Sequence, residues 1–225
     1  MQPITNSKLS KLRLKLEGKE MNMKIMGKYL RFGSLVDALI TEPERVDLNK
    51  LSLHNKTRYE DEHYLFKPWE IELAQEMKEA FFANSFCRKV MRHAEKAIFQ
   101  KKMQIENFEI DVEGEADLLW PSQNLNTDIK VTACTSQKEF VKKCKELFYD
   151  QQGSFYMDNF QVDRHVVIGI SRKVRDANNL PKLFFFPIER TNDLYKVGKE
   201  KYVFWTKKYL SEHNLWDEVR VLDAA

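Results

Sequence analysis

The chain has 225 residues, of which 43% are hydrophobic and 32% are charged. This balance is typical of a soluble folded protein, and the length predicts a single domain over residues 1–225. No apolar run approaches the ~20 residues that span a bilayer, and the N-terminus lacks the apolar core of a signal peptide. The expected location is therefore the cytoplasm, without a membrane partner. The three cysteines form no C-x-x-C pair, which argues against a zinc site or a disulfide framework.

Positive charge is concentrated at the N-terminus. The net charge is +3, whereas residues 1–31 hold eight Lys or Arg residues against two Glu. Such a basic arm fits contact with nucleic-acid phosphates, and the candidates are Lys8, Lys11, Arg13 and Lys15. An ordinary solvated amphipathic segment explains the same charges equally well.

Two helices are predicted near the N-terminus. Thr5 or Ser7 is suited to cap a short first helix. A second helix is predicted to follow Gly33 and to end before Pro43, because the residue before a proline disfavours helical geometry. Asp37 lies on the flank of the apolar stripe of this second helix.

The next segment is polar and then helical. Residues 44–66 are rich in Asn, His, Tyr and acids, which predicts a long loop or a mobile segment. Apolar residues at three- and four-residue spacing predict helix from Pro68 to His93, with a break at Asn84-Ser85. Residues 1–93 should thus form a mainly helical N-terminal part.

Strands dominate residues 94–225, the expected catalytic core. Ala94–Met103, Phe108–Trp120 and Thr127–Thr132 predict an antiparallel meander, with unbroken apolar–polar alternation in the second strand. Ser136-x-x-Glu139 predicts a helix that runs, with a possible break, to Tyr156. The remaining predicted elements are strands His165–Ser171 and Leu183–Ile188 and a closing helix Val203–Leu210. The order indicates an α/β or α+β fold with a mixed central sheet.

The candidate chemistry lies where the second and third strands face each other. A hairpin brings Asp117 beside Asp128, while Asp128 and Lys130 share a face because they are two residues apart. Carboxylate oxygens suit Mg²⁺ or Mn²⁺, and a nearby lysine can act on a metal-bound water in phosphodiester hydrolysis. The alternative is a half-buried strand with a solvated acidic face.

Four stretches resemble a known family in order and spacing, from residue 4 to about residue 156. They resemble the PD-(D/E)XK nuclease superfamily, and within it the phage-recombination exonucleases of the exonuclease VIII type. The stretches are Ile4–Leu9, Gly33–Glu44, Gly114–Asp117 with Thr127–Thr132, and Tyr149–Tyr156.

The resemblance implies a restriction-endonuclease-like fold, a mixed sheet flanked by helices, and a role for each matched residue. Asp117 and Asp128 would ligate the metal together with the Ile129 carbonyl oxygen. Lys130 would orient or activate the attacking water and stabilise charge at the phosphate. Gln152 and Tyr156 share a helix face and would steady the lysine, the water or the DNA backbone; an ordinary polar–aromatic helix contact is the alternative.

Asp37 departs from the family pattern, which has a histidine reaching towards the metal at this position. An aspartate also ligates Mg²⁺, so Asp37 is a candidate fourth ligand. The alternative is a solvated helix residue in a degenerate site.

The function implied by the resemblance is Mg²⁺- or Mn²⁺-dependent exonucleolytic degradation of one strand at double-stranded DNA ends. The resulting overhang would pass to a single-strand annealing recombinase, and relatives of this type suggest a homo-oligomer. A catalytically decayed DNA-binding module on a nuclease fold is the alternative.

Overall fold

The computed structural model describes residues 2–19, 23–56 and 61–222. Within these ranges no helix combines the length and the apolar character needed to cross a membrane. The α-helices are α1 Asn6–Leu16, α2 Met23–Thr41, α3 Pro68–Ala83, α4 Ser85–His93, α5 Gln137–Glu146, α6 Tyr149–Phe160 and α7 Asp193–Glu212. The strands are β1 Val46–Asp47, β2 Ser52–Lys56, β3 Asp61–Leu65, β4 Glu95–Ile105, β5 Phe108–Trp120, β6 Leu125–Thr132, β7 Arg164–Arg175, β8 Pro181–Glu189 and β9 Arg220–Val221.

The large sheet is mixed. Its strand order is β4-β5-β6-β7-β8, and the short β9 pairs with β5. β4, β5 and β6 form the expected antiparallel meander, after which β6 pairs with β7 in parallel and β7 pairs with β8 antiparallel. Helices α5 and α6 make the crossover between the two parallel strands. The predicted α/β architecture with a mixed central sheet flanked by helices is therefore confirmed.

The helix starts follow local capping chemistry. The Thr5 hydroxyl accepts a hydrogen bond from the Lys8 backbone N–H at 3.1 Å and caps α1. Asn84 caps α4 and separates it from α3, as predicted. Ser136 accepts from the Glu139 N–H at 3.2 Å and caps α5. The Glu139 carboxylate bonds the Thr135 backbone N–H and hydroxyl instead of closing a capping box.

Two N-terminal predictions are wrong. Helix α2 begins at Met23 and runs through Gly33, because a single glycine costs a helix only about 1 kcal/mol and no atom crowds this position. The predicted loop over 44–66 contains an antiparallel sheet of β1, β2 and β3. Leu53 anchors that sheet in the core, although its polar neighbours hide the strand pattern. Glu20, residues 57–60 and the side chains of Lys24 and Lys28 lie outside the described residues.

The large sheet separates two apolar layers. Ile168 and Ile170 of β7 pack into a cluster with α2, α3 and α4, whereas Val167 packs into a cluster with α5 and α6. A third cluster joins α1 and α7 to β4 and the first half of β5. Because the sheet lies between the two layers, side chains on β6 contact α2 on one side and α6 on the other.

Three elements, β7, β8 and α7, are longer than predicted.

Candidate active site

A β-bulge interrupts strand β5 at Asp117. One β4 residue, Lys96, opposes two β5 residues, Asp117 and Leu118. The side-chain alternation therefore breaks: Ala116 and Leu119 pack in the cluster with α5 and α6, whereas Leu118 packs with α2, α3 and α4. The unbroken alternation predicted for this strand is wrong at this point, because the bulge changes which face each side chain takes.

The pairing of β5 with β6 ends beside the bulge. Leu118 and Thr127 are the last paired residues, while β6 stays paired with β7 through Thr132. Beyond that point Asp117 Oδ2 accepts a hydrogen bond from the Ile129 backbone N–H at 2.9 Å. The carboxylate thus replaces a backbone carbonyl in the ladder, and the two strands diverge around it.

Asp128 and Lys130 lie together on one face of β6, as predicted. Lys130 Nζ is 2.6 Å from Asp128 Oδ2, and their side chains are 30% and 5% exposed. Ile129 between them faces the core. Burial opposes the charge on Lys130, but attraction by Asp128 and Asp117 outweighs it and raises the pKa of Lys130 above its usual value. The lysine therefore carries its proton.

Asp37 approaches this group from α2. Its Oδ1 is buried and has no hydrogen-bond partner among the described residues. Burial, helped by the charges of Asp128 and Glu42 and opposed by Lys130 and Lys96, raises the pKa of Asp37 to about 6. The side chain is therefore not a fully solvated helix residue, because its Oδ1 is buried.

The site carries more negative than positive charge. Burial, and then repulsion by Asp128 and Asp37, hold the pKa of Asp117 well above its usual range, although Lys130 and the Ile129 N–H act in the opposite direction. Three carboxyl groups therefore interact with one ammonium group. A bound cation would relieve this repulsion.

Helix α6 places Gln152 within hydrogen-bond distance of Asp128. Gln152 Nε2 donates a hydrogen bond to Asp128 Oδ1 at 3.1 Å. The next residue is Gly153, where a Cβ would stand 2.8 Å from the His165 ring and 2.5 Å from Ile188. The glycine lets the helix pack directly on β7 and β8, and this contact brings Gln152 within reach.

Tyr156 lies one turn further along α6. Burial is the main cause that raises the pKa of Tyr156, and a hydrogen bond with Gln152 partly offsets it. Its ring packs beside Gly114, where a Cβ would approach Tyr156 to 3.2 Å and Phe99 to 2.6 Å. Gln152 thus contacts Asp128 directly, and Tyr156 contacts Gln152. The catalytic role of these two residues stays a prediction.

Sequence reasoning missed two residues beside the site. The Tyr149 ring centroid lies 5.8 Å from Lys130 Nζ, a cation–π distance. His165 is buried, with Nδ1 3.2 Å from Asn126 Oδ1. Burial, together with repulsion by Lys130, lowers the pKa of His165 to about 4, against the attraction of Asp128. Tyr149 begins the stretch that resembles the family helix, whereas His165 is found only once β7 is placed beside β6.

An ion-pair network clamps the C-terminal end of α2 to the sheet. Lys96 Nζ is 2.8 Å from Glu42 Oε2 and 2.6 Å from Glu115 Oε1, and Arg45 Nη1 is 2.7 Å from the same Glu42 oxygen. Because Lys96 is the residue opposite the bulge, the network joins the bulged strand pair to the helix that carries Asp37.

The basic N-terminal residues do not form a free arm. Arg13 is buried, and its guanidinium lies 3.8 Å from the centroid of the Phe148 ring. Arg13 therefore joins α1 to the start of α6 and is not available for a phosphate contact, which corrects its predicted role. Lys8 Nζ donates to the Pro3 carbonyl oxygen at 2.7 Å. Lys11 and Lys15 are exposed, and DNA contact by these three lysines stays a prediction.

A protein-family comparison agrees with this arrangement. Residues 12–169 match the model of a family described as "PDDEXK-like domain of unknown function (DUF3799)". The chain belongs to this PDDEXK-like family. The match includes β5, β6 and α6 and therefore the whole candidate site. No curated protein sequence matches the chain.

Comparison with solved structures finds one with a similar fold. A putative exonuclease from Eubacterium rectale aligns with a TM-score of 0.58 and 16% identity over 89% of this chain and 72% of that chain. At this identity the likeness shows the fold alone. A phage-related exonuclease from Haemophilus somnus 129PT (TM-score 0.39, 19% identity, 63% of this chain and 70% of that one) is a weaker match. So is an alkaline exonuclease from Laribacter hongkongensis (TM-score 0.38, 12% identity, 65% and 70%).

The donor chemistry of this PDDEXK-like site fits a hard divalent cation. Asp117 and Asp128 offer carboxylate oxygens, and the Asp37 Oδ1 is buried without a hydrogen bond. In the described part of the chain, however, no three Asp, Glu, His or Cys side chains are arranged to enclose an ion by themselves. A ligand set of Asp117, Asp128 and the Ile129 carbonyl therefore stays a prediction, as does the addition of Asp37.

Proposed function

We propose that the protein is a divalent-metal-dependent deoxyribonuclease that hydrolyses DNA phosphodiester bonds at this site. The observation that carries the proposal is the meeting of Asp117, Asp128 and Lys130 where β5 and β6 diverge. Family membership supports it, because the match covers all three residues.

The acidic residues and the lysine of the site have different proposed roles. The two aspartates would hold Mg²⁺ or Mn²⁺, which supplies Lewis acidity and a more acidic bound water. Lys130 carries its proton in the metal-free site, because the acids raise its pKa. It is therefore suited to donate hydrogen bonds to the attacking water or to a phosphate oxygen, and to offset the charge that develops there.

The surrounding residues keep this geometry in place. Gln152 holds one oxygen of Asp128 and Lys130 approaches the other, so the carboxylate has a defined orientation. The Ile129 N–H fixes Asp117 in the same way. Such preorganisation lowers the cost of aligning the charged groups during the reaction.

The more specific proposal is an exonuclease that degrades one strand from double-stranded DNA ends during phage-type recombination. It rests on the resemblance of the four sequence stretches. A homo-oligomer and a single-strand annealing recombinase as partner belong to the same proposal.

Digestion of end-labelled linear duplex DNA, compared with digestion of a covalently closed circle, tests both the deoxyribonuclease proposal and the more specific exonuclease proposal. We expect the parent protein to shorten the linear DNA with Mg²⁺ or Mn²⁺ and not with EDTA, and the Asp128→Asn variant to be inactive. Asp193→Asn is a matched control, because the Asp193 side chain is 95% exposed and distant in the chain from the site.

The result separates the candidate functions. Cleavage of the closed circle would replace the exonuclease with an endonuclease. DNA binding without digestion at any metal concentration would select the decayed binding module. Full activity of Asp128→Asn would reject the site assignment.

A further inference from the structure

A wide groove opens on the surface formed by α2, α3 and β7. Its volume is about 900 Å³, and Tyr29, Leu65, Lys67, Trp69 and Arg172 are among the residues that line it. We call it the Trp69 groove. A smaller cavity of about 300 Å³ shares Tyr29 and Arg172 with it and is also lined by Lys130. The two cavities thus adjoin at Tyr29 and Arg172, and the smaller one reaches Lys130 of the candidate active site.

The groove exposes large aromatic and apolar side chains. Trp69 is 56% exposed, Tyr29 is 55% exposed and Leu65 is 76% exposed. None of the three belongs to the apolar clusters of the core. Aromatic rings that face solvent beside a catalytic cleft offer flat surfaces on which unpaired bases can stack.

Positive charge accompanies these rings. The Arg172 guanidinium carbon lies 4.7 Å from the centroid of the Tyr29 ring, and the Arg31 guanidinium carbon lies 4.9 Å from that of Tyr64. No carboxylate of the described residues lies within ion-pair distance of Arg172 or Lys67. Glu70 is the acidic residue among those that line the groove, and its carboxylate bonds the backbone N–H of Lys67 at 2.9 Å. The groove thus combines stacking surfaces with cations that have no acidic partner.

We propose that the Trp69 groove binds one unpaired DNA strand, with bases stacked on Trp69 and Tyr29 and phosphates beside Arg172 and Lys67. The inference rests on the proposed nuclease function, because it treats the groove as the path of a strand that enters or leaves the site at Lys130. Single-stranded DNA fits better than duplex, since paired bases do not expose their faces to side chains. Cations that have no acidic partner among the described residues favour a polyanion over a polypeptide.

Binding of a single strand can be measured without cleavage. The probe is a fluorescent phosphorothioate oligothymidylate, and its anisotropy is followed in EDTA with the full-length protein. Each variant removes one stacking surface, so Trp69→Ala and Tyr29→Ala should each weaken binding at least about fivefold. Phe204→Ala is the control, because Phe204 is 58% exposed on α7, away from the groove. It should leave binding unchanged.

The charge part of the inference has its own readout. For a single strand each lost phosphate contact reduces the slope of log K against log salt by about 0.7. Arg172→Gln should show this reduction, whereas Lys182→Gln, an exposed cation of β8, should not.

Three results would overturn the inference: Trp69→Ala and Tyr29→Ala curves that overlay the parent, equal losses in Phe204→Ala, or tighter binding of duplex that the groove variants do not alter. A fourth would be binding of a cationic or apolar peptide by a protein that shows no affinity for oligothymidylate. Because the assay needs no catalysis, failure of the nuclease proposal appears separately, as absence of metal-dependent digestion by a protein that still binds the strand.

Discussion

Removal of the Lys130 charge should destabilise the metal-free protein, and Lys130→Met is the change that tests it. The methionine keeps most of the side-chain volume, so the main loss is the ammonium group 2.6 Å from Asp128. Asp128 then remains buried without its cation, beside Asp117 and Asp37, whose pKa values are already raised.

The magnitude follows from the burial of the pair. Breaking a buried ion pair costs about 3–5 kcal/mol, whereas an exposed pair contributes under about 1 kcal/mol. Asp128 is 5% exposed and Lys130 is 30% exposed, which places this pair between the two cases. We expect a loss of about 2–3 kcal/mol at pH 8, equivalent to roughly 5–10 °C in Tm for a protein of this size.

Thermal and urea unfolding in EDTA, followed by circular dichroism, measure the effect. Lys142→Met is the matched control, because the Lys142 side chain is 78% exposed in a 3.9 Å ion pair, and it should change stability by under about 0.5 kcal/mol. The double variant Asp128→Asn/Lys130→Met should recover part of the loss, since it also removes the carboxylate 2.6 Å from the lost ammonium group, while Asp117 and Asp37 remain. The deficit of Lys130→Met should also shrink from pH 8 to pH 5, as the neighbouring acids take up protons.

Two outcomes would refute this reasoning. In the first, Lys130→Met is as stable as Lys142→Met, which would mean that the pair is solvated in solution. In the second, the double variant is no more stable than Lys130→Met, which would place the loss in packing and not in charge.

Three further predictions concern the acids and the buried histidine. Asp117→Asn should abolish Mn²⁺ binding in calorimetry yet stabilise the metal-free protein at pH 8, because a carboxylate with a raised pKa costs stability while it is ionised. Normal Mn²⁺ affinity would remove Asp117 from the ligand set. Asp37→Ala should shift the Mg²⁺ titration of nuclease activity to higher concentration, whereas Asp37→His should keep activity and lose affinity below about pH 6.5; an Ala curve that overlays the parent would exclude a ligand role. His165 is neutral when folded, with a pKa of about 4, and takes a proton below about pH 6.5 when unfolded, so it should make stability fall by about 3 kcal/mol between those pH values. Urea unfolding across that range should show a shallower fall in His165→Asn, and equal slopes would contradict the assignment.

The meeting of Asp117, Asp128 and Lys130 could be predicted because it needs only local rules. Side chains two apart share a strand face, and a short turn makes neighbouring strands antiparallel. The bulge had a sequence signal as well: Leu118 and Leu119 are consecutive apolar residues, which an unbroken alternation does not allow. Its effect on Asp117 could not be read from that signal, because the register with β4 is a tertiary property.

Other features depend on contacts that the local pattern does not encode. The strands within 44–66 are short and polar, and the burial of Leu53 against distant helices stabilises them. In the sequence Arg13 belongs to a basic segment. In the structure its guanidinium packs on the ring of Phe148, a residue with left-handed backbone at φ of 61°. His165 lies beside Asn126 only because β6 and β7 run parallel.

The bulge at Asp117 makes the site sensitive to residue count as well as to residue identity. Deletion of Leu118 would let β5 pair with β4 in one continuous register, with no change to any acid or to Lys130. The residues after the deletion would keep their partners, whereas Asp117 would take the place of Leu118 opposite Thr127. Its carboxylate would then no longer lie where the two strands diverge. An alignment that scores the Asp and Lys positions alone would accept such a chain as intact. Loss of a single hydrophobic residue could therefore inactivate a relative whose motif is complete.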